Sequence, residues 1–300
     1  MTANSRLLRN PSHRVLPLLA LTLGLIPAAQ ALASEPSATS WKTDYSAAVL
    51  EAQAEKKMLL IFFHREGDHA PERRFEQEVV THPTIAKLLD NYTLAKLPVT
   101  TEVQFKGKPI RLLSHGAFVH LEGKPGVAIV DYAHVDTPEY GHTVSQFIFR
   151  GERPRNVQEM QVILTLPQGT LTQRTLIYAV RTHPERPRST NGILRRLLAG
   201  ETHRHSQHQA AIQSQGHHQW DSRFQMIKAQ LPGNMLPVEV CAESWPGQNL
   251  EDAAIECVRS WRHSSGHWSA VSSESTYYGY DMKRGRNGIW YATGIFARNR

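Results

Sequence analysis

The segment Cys257-Val-Arg-Ser-Trp261-Arg-His-Ser264-Ser-Gly266-His267-Trp268 constrains this chain more tightly than any other. Ala254, Cys257, Val258 and Trp261 recur at i, i+3, i+4 and i+7, which lines one face of an amphipathic helix. Asn249 has the side chain of an N-cap, and Glu251 and Asp252 fall in the first turn, where the helix dipole favours negative charge. Ser264-Ser265-Gly266 predicts the end of that helix, since Gly readily takes the left-handed C-terminal conformation. His267 is then delivered from a helix end, open to solvent or ligand and held by the anchored Trp261.

The N-terminus has a different character. Arg6, Arg9 and Arg14 precede an apolar run from Val15 to Ile26, followed by the small-residue sites Ala29-Gln-Ala31 and Ala31-Leu-Ala33. This pattern predicts a signal peptide over residues 1–33 and a periplasmic or extracellular location. Pro17 interrupts the apolar run, which is short for a bilayer, so no stable membrane span is expected after cleavage.

Charge is unevenly spread over the rest. Residues 34–166 hold 15 Lys/Arg against 17 Asp/Glu, whereas residues 167–300 hold 16 against 10. A basic second half can attract anionic envelope polymers or phospholipid. It lacks the dense Lys/Arg patch with interleaved aromatics that nucleic acid requires. The two cysteines, Cys241 and Cys257, both lie in that half. In an oxidising compartment they suggest a disulfide across a loop of about 15 residues. The alternative is two buried thiols, because Cys257 lies on an apolar helix face.

In the first half, Tyr45, Ala48, Val49 and Ala52 predict a helix, and Met58-Leu-Leu-Ile-Phe-Phe63 a fully buried strand. A helix from about Pro71, a turn at Thr81-His82-Pro83, a strand over Tyr92–Val99 and a buried strand over Val127–Asp131 follow. That order, with Glu78 to Tyr92 and with Pro125 six residues before Asp131, resembles the thioredoxin-like superfamily. The resemblance places His69 and Glu72 where the two redox cysteines belong, so dithiol exchange is excluded at that position. His64, Asp68, His69 and Glu72 read as a replacement polar cluster, as metal ligands, or as a solvated loop.

In the second half, Trp261-x-x-Ser264-x-Gly266-His267 is similar to bacterial members of the CAP superfamily, the cysteine-rich secretory, antigen 5 and pathogenesis-related proteins. Further segments keep that family's order: His205-Ser206 with Gly216-His217, Ala242-Glu243-Ser244-Trp245, and the closing strands Tyr278-Gly279-Tyr280 and Gly288 to Phe296. The resemblance implies a three-layer α-β-α sandwich with a cleft lined by two His and usually two Glu. It assigns His217, Glu243 and His267 to that cleft, with Ser264 where the second glutamate belongs and His218 as the rival to His217. The run Thr202 to His208 reads as a polar helix face, although His205 and His208 are spaced to share a metal. Trp245, Trp268, Trp290 and Tyr291 read as core or cleft-wall residues.

The expected class is therefore α/β in two domains, a thioredoxin-like domain over residues 38–166 and a CAP-like sandwich over residues 167–300. Two functions are expected from it. One is an exported non-catalytic module that binds a lipid, glycan or protein partner. The other is a Zn²⁺-assisted hydrolase, in which His217, Glu243 and His267 hold the metal and leave a fourth position to water.

Overall fold

Five consecutive apolar residues, Leu59 to Phe63, are buried on both faces of a strand, which makes that strand the centre of its sheet. The structure is a computed structural model and describes residues 40–299; the signal peptide expected over residues 1–33 lies outside them. In chain order the first half is α1 (Tyr45–Glu55), β1 (Met58–His64), α2 (Ala70–Arg74), α3 (Pro83–Leu89) and β2 (Tyr92–Pro98). The hairpin strands β3 (Glu102–Phe105) and β4 (Lys108–Arg111) follow, then β5 (Gly126–Val130) and β6 (Thr143–Ile148). The sheet order is β2-β1-β5-β6, with β1 parallel to β2 and antiparallel to β5. After α2 the chain continues through a π-helical stretch, Phe75–Val80, before the turn that begins α3.

The second half comprises α4 (Val157–Leu164), α5 (Leu171–Arg181), β7 (Ile193–Leu194), α6 (Arg196–Ile212) and α7 (Trp220–Gln230). It closes with β8 (Leu236–Glu243), α8 (Leu250–His263), α9 (Ser265–Ser272), β9 (Tyr277–Arg284) and β10 (Trp290–Arg298). Its sheet runs β7-β9-β10-β8. Strand alternation divides the side chains between two helical layers. Val240, Ala242, Tyr278, Tyr280, Met282, Ala292 and Phe296 share a core with Cys257, Val258 and Trp261 of α8. On the other face, Ile295 and Ala297 join Leu198 of α6 and Ile227 of α7. The result is a three-layer α-β-α arrangement. The chain is thus of the α/β class.

The expected boundary near Pro167 falls between α4 and α5. Residues Gln173 to Val180 of α5 are all buried, and one apolar cluster runs from Leu60 and Phe62 through Leu176 and Ile177 to Tyr278 and Tyr280. A helix buried around its whole circumference needs cover on every side, and here both halves supply it. Ion pairs reinforce the junction. Arg155, 2% exposed, donates to both carboxylate oxygens of Glu251 at 2.8 and 2.6 Å and to the Tyr178 hydroxyl at 3.0 Å. The described residues form one compact unit.

Ile193 and Leu194 pair in parallel with Tyr277 and Tyr278 as a short strand. Two local expectations are corrected. The helix of the Trp261 face does end at His263, with Asn249 capping its start as expected, but Gly266 does not terminate it. Ser264 turns the chain and a new helix, α9, begins at Ser265, so His267 sits in a first turn. The suggested disulfide is absent: Cys241 and Cys257 are both free and buried. Strand parity explains this. Val240 and Ala242 face α8 and Cys257, so Cys241 between them points through the sheet toward α6. Among the described residues no helix is long and apolar enough to cross a membrane.

Candidate functional site

Two of the sequence-predicted residues meet. His217 Nε2 and His267 Nε2 lie 3.3 Å apart although the residues are 50 positions apart in the chain. His217 comes from the loop between α6 and α7, and His267 from the first turn of α9. The loop is held by buried polar groups of α6. Gln209 accepts from the Gly216 N–H at 3.1 Å and donates to Thr293 Oγ1 at 2.9 Å. His205 Nε2 donates to the Gly216 carbonyl at 2.9 Å. Thus the face of α6 that reads as polar is buried at Glu201, Thr202, His205, Ser206 and Gln209. Ser206 donates to the Asp281 carbonyl of β9, and His205 and Gln209 hold the loop, with no apolar stripe to announce that face.

The carboxylate of the site is Glu239, not Glu243. Glu239 Oε1 accepts from His217 Nδ1 at 3.0 Å, and its other oxygen accepts from Arg223 of α7. Glu243 is four residues further along β8 on the same face, a displacement of about 13 Å along a strand, and it ends exposed. The Glu239-Val240-Cys241 alternation was the available signal, because it places Glu239 and Cys241 together on the face opposite Val240. Ser264 is partly buried and caps no helix with its side chain; its carbonyl accepts from the Trp268 N–H at 2.8 Å. His218, the rival, turns away from His267 to donate to the Ser214 carbonyl at 3.1 Å, and its ring lies 5.5 Å from that of His208. Trp245, expected in the core or cleft wall, is 62% exposed, whereas Trp290 and Tyr291 are buried as expected.

The electrostatics of the pair follow from these contacts. Burial alone would raise the Glu239 carboxyl, but hydrogen bonds from His217 and Arg223 outweigh it and hold the group ionised, below its ordinary range. That anion fixes the proton of His217 on Nδ1 and leaves the Nε2 lone pair facing His267. His267 is lowered below the usual imidazole range, first by burial and then by the neighbouring His217. His205 is pushed down to about 4 chiefly by burial and is neutral near pH 7. Two imidazole nitrogens at this separation can share a proton or a cation. A tetrahedral Zn²⁺ with Zn–N of about 2.0–2.1 Å would set them roughly 3.3 Å apart.

The polar residues of the first half do not gather. Arg65, missed in the sequence, takes both oxygens of Glu72, at 2.8 and 3.0 Å. His64 pairs with the Arg65 carbonyl, His69 with the Glu66 carbonyl, and Asp68 with Arg73. The histidine-rich run also divides. His203 Nδ1 donates at 2.8 Å to Asp281, a fully buried carboxylate that also accepts from Thr172 Oγ1 at 2.5 Å.

No family model matches the chain, and no curated protein matches it. Among solved structures it is similar to a thioredoxin from Thermus thermophilus at 21% identity, over 39% of this chain and 80% of that one, with a TM-score of 0.28.

Proposed function

We propose that this chain is an exported, non-catalytic binding protein whose second half is a CAP-type module, with His217 and His267 marking the ligand site. The observation that carries the reading is the 3.3 Å approach of these two imidazoles, at the positions the resemblance assigns to the family's paired histidines. The α-β-α layering supports it further. The first half is then a thioredoxin-like scaffold without thiol chemistry, in keeping with its β2-β1-β5-β6 sheet and with Glu72 engaged by Arg65. The ligand is an anionic component of the cell envelope, favoured by the 16 Lys/Arg against 10 Asp/Glu of residues 167–300. The thiol beside the pair, Cys241, lies 3.8 Å from His217 Nδ1 but is buried, and burial pushes it well above the usual thiol range, so it is not an activated nucleophile, which supports binding over catalysis.

A second reading, the Zn²⁺-assisted hydrolase, draws on Glu239 behind His217, since a carboxylate commonly orients a metal-bound imidazole. One pair of assays separates the two. Co-sedimentation with phosphatidylglycerol vesicles and with purified peptidoglycan should retain the protein on at least one. The His217→Ala/His267→Ala double variant should bind about tenfold less, the loss expected of about 1.4 kcal/mol. Retention on neither surface, or equal retention of the variant, would overturn the binding reading. Zn²⁺-dependent turnover of p-nitrophenyl esters that His267→Ala abolishes would establish the second.

A further inference from the structure

On the inner side of His217, away from His267, three buried metal-ligating side chains cluster and His217 Nδ1 borders them. His205, Glu239 and Cys241 each bring a ligand atom to within 4.8 Å of the others, and all three residues are buried. His217 Nδ1 lies against two members of this group, 3.0 Å from Glu239 Oε1 and 3.8 Å from Cys241 Sγ, and has to approach His205 to become a fourth ligand. His205 Nε2 lies 3.7 Å from the same glutamate oxygen. We propose that these residues form a closed structural site for Zn²⁺, with His205 from α6, His217 from the α6–α7 loop and Glu239 and Cys241 from β8.

Three of the separations are near those a tetrahedral ion imposes, and closing the site on an ion draws His217 toward His205. Zn–N and Zn–O bonds of about 2.0–2.2 Å and a Zn–S bond of about 2.3 Å set neighbouring ligand atoms about 3.3–3.7 Å apart. Adjustments of a few tenths of an ångström bring the three measured distances to these values. One thiolate, two imidazoles and a carboxylate select Zn²⁺ over Mg²⁺ or Ca²⁺, which prefer oxygen donors. Arg223, on the second oxygen of Glu239, is the outer partner that orients a ligating carboxylate. Four protein ligands leave no position for water, so the role is structural. The need for it is local: α7 buries Ile227 alone among its residues, so apolar contact does little to fix the loop that carries His217.

The protons balance as follows. Cys241 loses its proton to solvent and binds as thiolate. His205 moves its proton from Nε2 to Nδ1, giving up the bond to the Gly216 carbonyl. His217 moves its proton from Nδ1 to Nε2, from which it donates to His267 Nε2. One proton per ion is released. This inference is independent of the ligand proposed above, but it competes with the hydrolase reading, because a metal on Nδ1 leaves Nε2 of His217 protonated.

Co²⁺ titration of the chelator-treated full-length chain is the test. Thiolate coordination gives a sulfur-to-metal charge-transfer band in the near ultraviolet, and tetrahedral geometry gives intense visible bands. Both should appear at one ion per chain, bleach on addition of Zn²⁺, and persist in Cys257→Ser and His267→Ala. Both should vanish in Cys241→Ser, with circular dichroism confirming that this variant stays folded. Wild-type protein without the charge-transfer band overturns the site whether or not any variant folds. A band that survives Cys241→Ser, or that His267→Ala removes, overturns it as well. Envelope binding by the wild type, measured separately, is unaffected by either failure.

Discussion

At the scale of single residues, position in the sheet decides chemistry that residue type leaves open. Glu239 and Glu243 share a face of β8, yet Glu239 faces the loop between α6 and α7 and Glu243 lies exposed at the strand end. The two histidines that meet, His217 and His267, were both singled out in the sequence by the short motifs around them. The carboxylate was not, because parity puts two acids on one face and only tertiary contact chooses between them. Cys241 and Cys257 show the converse: spacing allows a bridge, and the sheet between them forbids it. Glu72 shows how a partner distant in type can invert a burial effect. Burial would raise its carboxyl, but hydrogen bonds from the Arg65 side chain and from backbone N–H groups, with the charge of Arg65, hold it below the ordinary range. A carboxyl lowered in the folded state stabilises fully above its unfolded pKa of about 4.3, and that contribution is lost as pH falls through the folded value. Acid unfolding followed by circular dichroism should therefore show Glu72→Gln less stable than wild type at pH 7. The gap should narrow below about pH 4. A difference that stays constant down to pH 2 would contradict the ion pair.

At the scale of elements, patterns of long period read correctly and short ones did not. The i, i+3, i+4, i+7 face of α8 and the apolar run of β1 lie where periodicity predicted, and the closing strands were expected from the resemblance alone. Two-residue β7 and the restart of the chain at α9 were hidden, because a strand that short and a Ser-Ser-Gly turn carry no periodic signal. The α6 helix was misjudged for another reason: its buried face is polar, satisfied by Asp281, Thr293 and Gly216 instead of packed. Its closeness to β9 depends on Gly279, where a Cβ would lie 2.4 Å from the Leu198 carbonyl carbon. Backbone on both sides cannot yield as a side chain can. Gly279→Ala should lower stability by about 1–3 kcal/mol, the usual cost of overpacking, measured by urea denaturation. An unchanged midpoint would mean that α6 does not pack on β9 in this way.

At the scale of the whole molecule, the α/β class was legible, while the degree of fusion between the halves was not. Arg150 and Arg155 precede α4 and Glu251 opens α8, so their pairing spans about a hundred positions that no local pattern links. Removing one partner of a buried ion pair leaves the other uncompensated. Glu251→Ala should therefore cost about 3–5 kcal/mol, read from thermal and denaturant unfolding. A loss below about 1 kcal/mol, the range of exposed pairs, would show the junction to be solvated. All of this fixes the frame that brings His217 and His267 to one point, which is the central claim. The most direct measurement is the NMR titration of the two imidazoles in chelator-treated protein. His267 should titrate below the ordinary value of about 6.5, and His217→Ala should move it upward, though not fully, because burial is the larger cause of its shift. A His267 that titrates near 6.5 and ignores the loss of His217 would contradict the account.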